Sequence, residues 1–203
     1  AFYEFLNKIT AFIWMYAFMR PGVNALRSPA YPEMIEIVND RVVDFEEYRF
    51  EADAVRNAIE NYAFTNGRPI TKSMLAWWGY HDEKQQLIPL DVALEIEHIF
   101  SRKRQENEGS LTDKNRLESL GNKILLEKNI NIRASDYRFS DKKKYYNGFT
   151  NDKGKYKAGT QNTELVMMAE QKDDFCEEDI VVRKKAIIDS FIGYLKQNKL
   201  TLE

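Results

Sequence analysis

Nine glycines and five prolines in 203 residues leave this chain few places to turn sharply. A sandwich or barrel of short strands needs a turn signal roughly every 8–12 residues. The scarcity therefore argues for helices, and the expected fold is mainly α with a small α+β element. A hydrophobic content of 43%, with 13% aromatic, is enough for one good core or two small ones. The single cysteine excludes a disulfide framework and a zinc site built on several thiolates. With only two histidines besides, any metal would be held mainly by carboxylate, amide or water oxygens, the ligands of a hard cation.

The opening segment AFYEFLNKITAFIWMYAFMR is apolar without interruption only from Ala11 to Met19. That is far below the ~20 residues a membrane span needs, and no basic region or cleavage site of the secretory kind accompanies it. No membrane partner and a cytoplasmic location are expected. The abrupt hydrophobic start reads as part of a longer protein. Periodicity predicts helices near 2–20, 32–39 with Pro32 in the first position, 45–64 and 71–78, and a long last helix over EEDIVVRKKAIIDSFIGYLKQN. Trp77-Trp78 and Met167-Met168 are expected in the core, His81 at the surface, and Cys176 inert.

Charge is unevenly spread. Residues 1–96 carry 9 Lys+Arg against 14 Asp+Glu, residues 97–160 carry 15 against 9, and residues 161–203 carry 6 against 9. A central basic block between acidic flanks is the pattern of a polyanion site, although such a run is also the usual make-up of a solvated face.

That block begins at EIEHIF, where a short strand (Val92, Leu94 and Ile96 on one face) ends in Glu97-His98. SRKRQENEGSLTDKNR reads as a loop closing in a helical turn capped by Thr112 or Asp113. NKILLE is a second short strand, NINIRAS opens a helix, FSDKKKYYNGF is another with Ser140 as its cap, and 148–161 is loop. Strand, loop, strand and helix thus frame His98, Asn122 and Asn131, the order of a ββα-metal finger. A neutral imidazole takes a proton from water near neutral pH. Glu97 and Asn131 offer hard oxygens for one Mg²⁺ or Mn²⁺ that keeps several waters. Asn122 has the supporting task of tying the strand to the backbone around His98. Asn129 competes with Asn131 if the helix starts earlier.

With Glu97-His98-Ile99, Leu120-Gly121-Asn122, Asn131, Phe139 with Lys142, and Ile180 with Arg183, the stretch from about 90 to 200 resembles the HNH (His-Me finger) nuclease domain of GmrSD-type modification-dependent restriction enzymes. It departs in one place: Phe100-Ser101-Arg102 stand where that family commonly has a proline. The resemblance implies a metal-dependent DNA endonuclease that leaves 5′-phosphate and 3′-hydroxyl ends. It also implies an N-terminal nucleotide-using domain that governs cleavage of modified duplex DNA. The chain has neither a Gly-rich phosphate loop nor that domain's motif, so it is expected not to bind nucleotide. Lys142, Lys143, Arg102 and Arg104 are the candidate DNA contacts, all to backbone phosphates.

On this reading, residues 1–90 form a helical scaffold and docking platform, 91–203 form the nuclease segment, and the two pack as one compact unit. Two rivals stay open: an RNase or toxin effector on the same finger, and a non-catalytic nucleic-acid or partner-binding module.

Overall fold

The computed structural model describes residues 2–22 and 24–202. The chain is mainly helical, and its strands form three two-stranded sheets among the described residues. It divides into two compact units. One holds the chain up to Tyr62 together with Ile188 onwards; the other runs from Ala63 to Ile187.

In the first unit, α1 (Phe2–Met19) buries Ala11, Phe12, Met15, Tyr16 and Phe18. α2 (Arg27–Val38) starts earlier than its proline suggests, with Pro32 inside it. The ring removes only the bond that would run back to Ser28. The helix expected over 45–64 is broken. Phe45 adopts a left-handed φ of 55° and stacks on Phe12 with ring centroids 3.7 Å apart. A 3₁₀ turn and the short β1 (Phe50–Glu51) follow before α3 (Ala52–Glu60) begins. β1 pairs in parallel with the last strand of the chain, Phe50 opposite Thr201.

The second unit starts with α4 (Pro69–Gly79), whose Pro69 suits a first helical turn. β2 (Leu94–His98) and β3 (Lys123–Glu127) pair antiparallel, from Leu94 opposite Glu127 to His98 opposite Lys123. Between them lies more helix than the sequence promised. Ser101 caps α5 (Arg102–Glu108), its Oγ accepting from the Arg104 N–H at 3.0 Å. Asp113 caps the 3₁₀ turn Lys114–Glu118, as its position suggested. β3 passes directly into α6 (Lys128–Ala134), so the order strand, strand, helix holds, with Asn131 as the helix's fourth residue rather than its start.

α7 (Phe139–Asn147) is preceded by Arg138, and Ser140 is inside it rather than its cap. The expected loop over 148–161 contains a small hairpin, β4 (Phe149–Thr150) and β5 (Tyr156–Lys157). α8 (Thr163–Gln171) and α9 (Glu177–Gln197) complete the helices, and β6 (Thr201–Leu202) ends the chain. All five residues of β3 are buried. Ile124 and Leu126 join Ile130, Phe139, Tyr146 and Ile180 in one apolar cluster. Met167 is not core: it is 39% exposed, whereas Met168 packs against that cluster. No described helix is long and apolar enough to cross a membrane.

Candidate active site

The hairpin end is held by the motif that begins β3. Asn122 is fully buried. Its Oδ1 accepts from the Phe100 N–H at 2.7 Å, and its Nδ2 donates to the carbonyls of Phe100 (3.0 Å) and Leu117 (3.1 Å). Its own carbonyl takes the Ile99 N–H. The two residues after His98 are thereby clamped to the start of β3, which fixes where the imidazole leaves the strand.

Gly121 precedes it because nothing larger fits: a Cβ there would run into the Ile180 carbonyl and the Lys184 backbone. Arg183, 7% exposed, explains the late Ile-x-x-Arg spacing. Its Nη1 donates to the carbonyls of Leu120, Gly121 and Lys123, and Nε and Nη2 make a two-pronged pair with Glu164 at 2.7 and 2.9 Å. One helical turn after Ile180, this side chain reads the backbone of the whole Leu-Gly-Asn segment.

Glu97 and His98 leave β2 on opposite faces, as successive strand residues must. Glu97 turns inward, 5% exposed. Its Oε1 accepts from Lys142 Nζ at 2.5 Å and from the Tyr146 hydroxyl at 2.9 Å. Burial pushes the Glu97 carboxyl up, against the pull of Lys142, and the charge of Asp136 adds to the rise. Its other oxygen, Oε2, accepts no hydrogen bond from the described residues.

His98 lies on the side of Lys123 and Glu118. Burial pushes its pKa down to about 4, and the neighbouring cations Lys123 and Arg102 press the same way. The ring is therefore neutral at neutral pH. Nε2 is sealed from solvent without a hydrogen-bond partner, 3.6 Å from Glu118 Oε1. Glu118 itself is held by Arg102 Nη2 at 2.5 Å and by Lys123 Nζ at 2.5 Å. Burial alone would raise the Glu118 carboxyl, but these two cations keep it below the ordinary range. Lys123 is buried and also donates to the Phe64 carbonyl and to Asn66 Oδ1.

A polar cavity of about 540 Å³ brings the parts together: Glu97, His98 and Asn131 border it, with Asn66, Arg102 and Asp136. Asn131 donates from Nδ2 to Glu95 at 3.0 Å, which leaves its Oδ1 free of hydrogen bonds. Among the described residues no three His, Cys, Asp or Glu side chains cluster closely enough to hold a metal by themselves. A hard cation that keeps several waters needs less: one or two carboxylates and an amide oxygen. Glu97, Asn131 and Asp136, which all border the cavity, carry oxygens of that kind.

The basic residues separate sharply. Arg102, 53% exposed at its side chain, borders the cavity, and so does Lys103. Lys142 does not reach the surface: its ammonium is bound by Glu97 and by the His98 carbonyl at 2.8 Å. Arg104 grips Asp174 through both terminal nitrogens and lies over the Phe100 ring. Lys143 donates to the Lys172 carbonyl at 2.7 Å. All three direct donors to partners within the chain.

Glu118, Asp136, Tyr146 and Lys123 are the site residues that sequence reasoning passed over. Only Lys123 carries a signal, a charge at the head of a short strand whose centre is apolar. His81 is exposed as expected; its ring lies tilted against Trp77 and stacks on Trp78, whose indole N–H donates to Glu164. Cys176 is exposed, its thiol 3.1 Å from Asp179.

No curated protein and no solved structure gives a match to the chain. A family model described as "GmrSD restriction endonucleases, C-terminal domain" matches residues 45–190. The match starts well before the first motif at Glu97 and takes in α3 and α4, and it ends in α9 after Arg183. It spans the hairpin, the Leu-Gly-Asn clamp and the arginine that reads it, in a mainly helical frame. By that match the chain belongs to the GmrSD restriction endonuclease family, as its C-terminal domain.

Proposed function

We propose that this domain hydrolyses DNA phosphodiester bonds, with His98 as general base. The observation that carries the reading is an imidazole on a polar cavity whose lining also includes Glu97, Asn131 and Asp136, and burial lowers the pKa of that ring. A base must be unprotonated at working pH and within reach of the water it activates. His98 meets the first demand through its burial and the second through its place on the cavity.

Glu97 and Asn131 would hold one Mg²⁺ or Mn²⁺, with Asp136 at its edge. Such an ion supplies charge neutralisation on the scissile phosphate and the leaving oxygen. The chain's own residues do the rest. Asn122 positions β2 relative to β3. Lys142 and Tyr146 orient Glu97 through Oε1, which leaves Oε2 for the cavity. Arg102 and Lys103 present cations to the DNA backbone without reading bases. In-line attack by the activated water would leave 5′-phosphate and 3′-hydroxyl ends. The family description, a C-terminal domain of restriction endonucleases, supports DNA as substrate and a longer protein; in this proposal an N-terminal domain of that protein directs the cut to modified DNA.

The test is nicking of supercoiled plasmid by this domain and by the full-length protein, with Mg²⁺, Mn²⁺ or EDTA, beside His98→Ala. Metal-dependent nicking that disappears in the variant is expected. Nicking that survives His98→Ala, or silence of the full-length protein with every metal, would sink the proposal.

A further inference from the structure

We propose that Glu118 is the positioning residue for His98. Its Oε1 is the acceptor toward which the Nε2–H points, which keeps the lone pair of the ring on Nδ1, the nitrogen on the open side. The inference rests on the reading of His98 as the base and names the group that orients it.

Three observations carry it. Of the two ring nitrogens, only Nε2 is both sealed from solvent and without a partner. Glu118 Oε1 is the oxygen that faces it, at 3.6 Å. The donors nearby, Arg102 Nη2 and Lys123 Nζ, are turned to Glu118 and make no hydrogen bond to the ring. A proton on Nδ1 instead would aim the bare lone pair of Nε2 at an ionised carboxylate, with nothing between them. A proton on Nε2 turns that repulsion into an attraction. The neighbouring cations keep Glu118 ionised and therefore an acceptor.

At 3.6 Å the bond is not yet made, and the cause is visible. Oε1 is shared with Arg102, 2.5 Å away. Arg102 is the most exposed member of the group and borders the cavity. A backbone phosphate entering the cavity competes with Glu118 for that guanidinium. Oε1, loosened from Arg102, then needs to move only a fraction of an ångström toward Nε2. Catalytic hydrogen bonds that are long in the free enzyme commonly tighten in this way. Substrate arrival would thus complete the orientation of the base. Lys123, buried and bonded to Phe64 and Asn66, stays on Oε2 as the fixed anchor.

With two histidines in the chain, ¹⁵N-detected imidazole spectra read the tautomer directly, and His81→Gln assigns the His98 signals. Metal-free wild-type protein at neutral pH should show the Nε2–H tautomer. Glu118→Ala should turn this into a mixture. Because that change strands the buried Lys123, the double variant Glu118→Met with Lys123→Met, which replaces the ion pair by apolar side chains of similar length, repeats the test in a protein checked for its fold by circular dichroism. Kinetically, loss of an orienting partner should lower kcat about 10–100-fold without raising KM. A wild-type ring protonated on Nδ1, or folded variants that keep a full Nε2–H signal, would overturn the assignment. A tautomer that depends on Glu118 in a protein that never nicks DNA would uphold it and fail only the nuclease reading.

Discussion

Lys142 Nζ stands 2.5 Å from Glu97 Oε1, with both side chains shielded from solvent. The lysine therefore fixes the strand end that presents His98, and it is not free to grip a phosphate. Removing one partner of a buried pair leaves the other charge uncompensated. Lys142→Met is expected to cost about 3–5 kcal/mol of folding stability, read by urea denaturation. A variant of near wild-type stability that loses DNA affinity and salt dependence would instead return Lys142 to the interface.

Arg102 should behave in the opposite way. It is largely exposed, so Arg102→Ala should change stability by no more than about 1 kcal/mol. It should weaken binding to all duplex sequences alike and lower the slope of log K against log salt by about 1. Titrations at several salt concentrations decide this, and an unchanged slope would remove Arg102 from the phosphate contacts.

His98 gives stability a pH dependence whose sign follows from its shift. Its pKa is about 4 in the folded chain against 6.5 for the free side chain. Between these values the unfolded chain binds the proton and the folded chain does not, so acid favours unfolding. The contribution is complete above pH 6.5 and is lost as pH falls toward 4, at up to about 1.4 kcal/mol per pH unit. Denaturation of the metal-free protein across this range, minus the same series for His98→Asn, isolates it. A difference that does not change with pH would mean an ordinary surface histidine.

Gly121 is a packing requirement. A methyl group at this position meets the α9 backbone at Ile180 and Lys184, and backbone cannot step aside as a flexible side chain would. Gly121→Ala should cost about 1–3 kcal/mol, the range for overpacking a tight interior, and should lower the midpoint of thermal unfolding. Nicking should fall as well, because Asn122 is the next residue. A variant as stable as wild type would show that α9 can shift.

Much of this site was legible in the sequence. Glu97-His98 at a strand end, Gly121-Asn122 at the start of the next strand and Asn131 on the following helix are short-range relations, set by the two-residue strand period and the 3.6-residue helical period. Even the role of Asn122 could be anticipated, since a buried amide must spend its donors and acceptors on neighbouring backbone. The late Arg183 stood out only through the Ile-x-x-Arg pattern of the family resemblance, not as the group that reads three carbonyls of the Leu-Gly-Asn segment.

What the sequence by itself determined is the helical class, the strand-strand-helix order and the identity of the polar residues on it. Tertiary structure alone decided what the charges do. A lysine in a basic run has the same composition and the same local propensity whether its ammonium ends in water or against a carboxylate 45 residues away. Only the packing of α7 on the hairpin brings Lys142 to Glu97, and only the approach of the loop before β3 brings Glu118 beside His98. Coulombic partnership depends on distance in space and on exclusion of water. Neither is written in the spacing of residues along the chain.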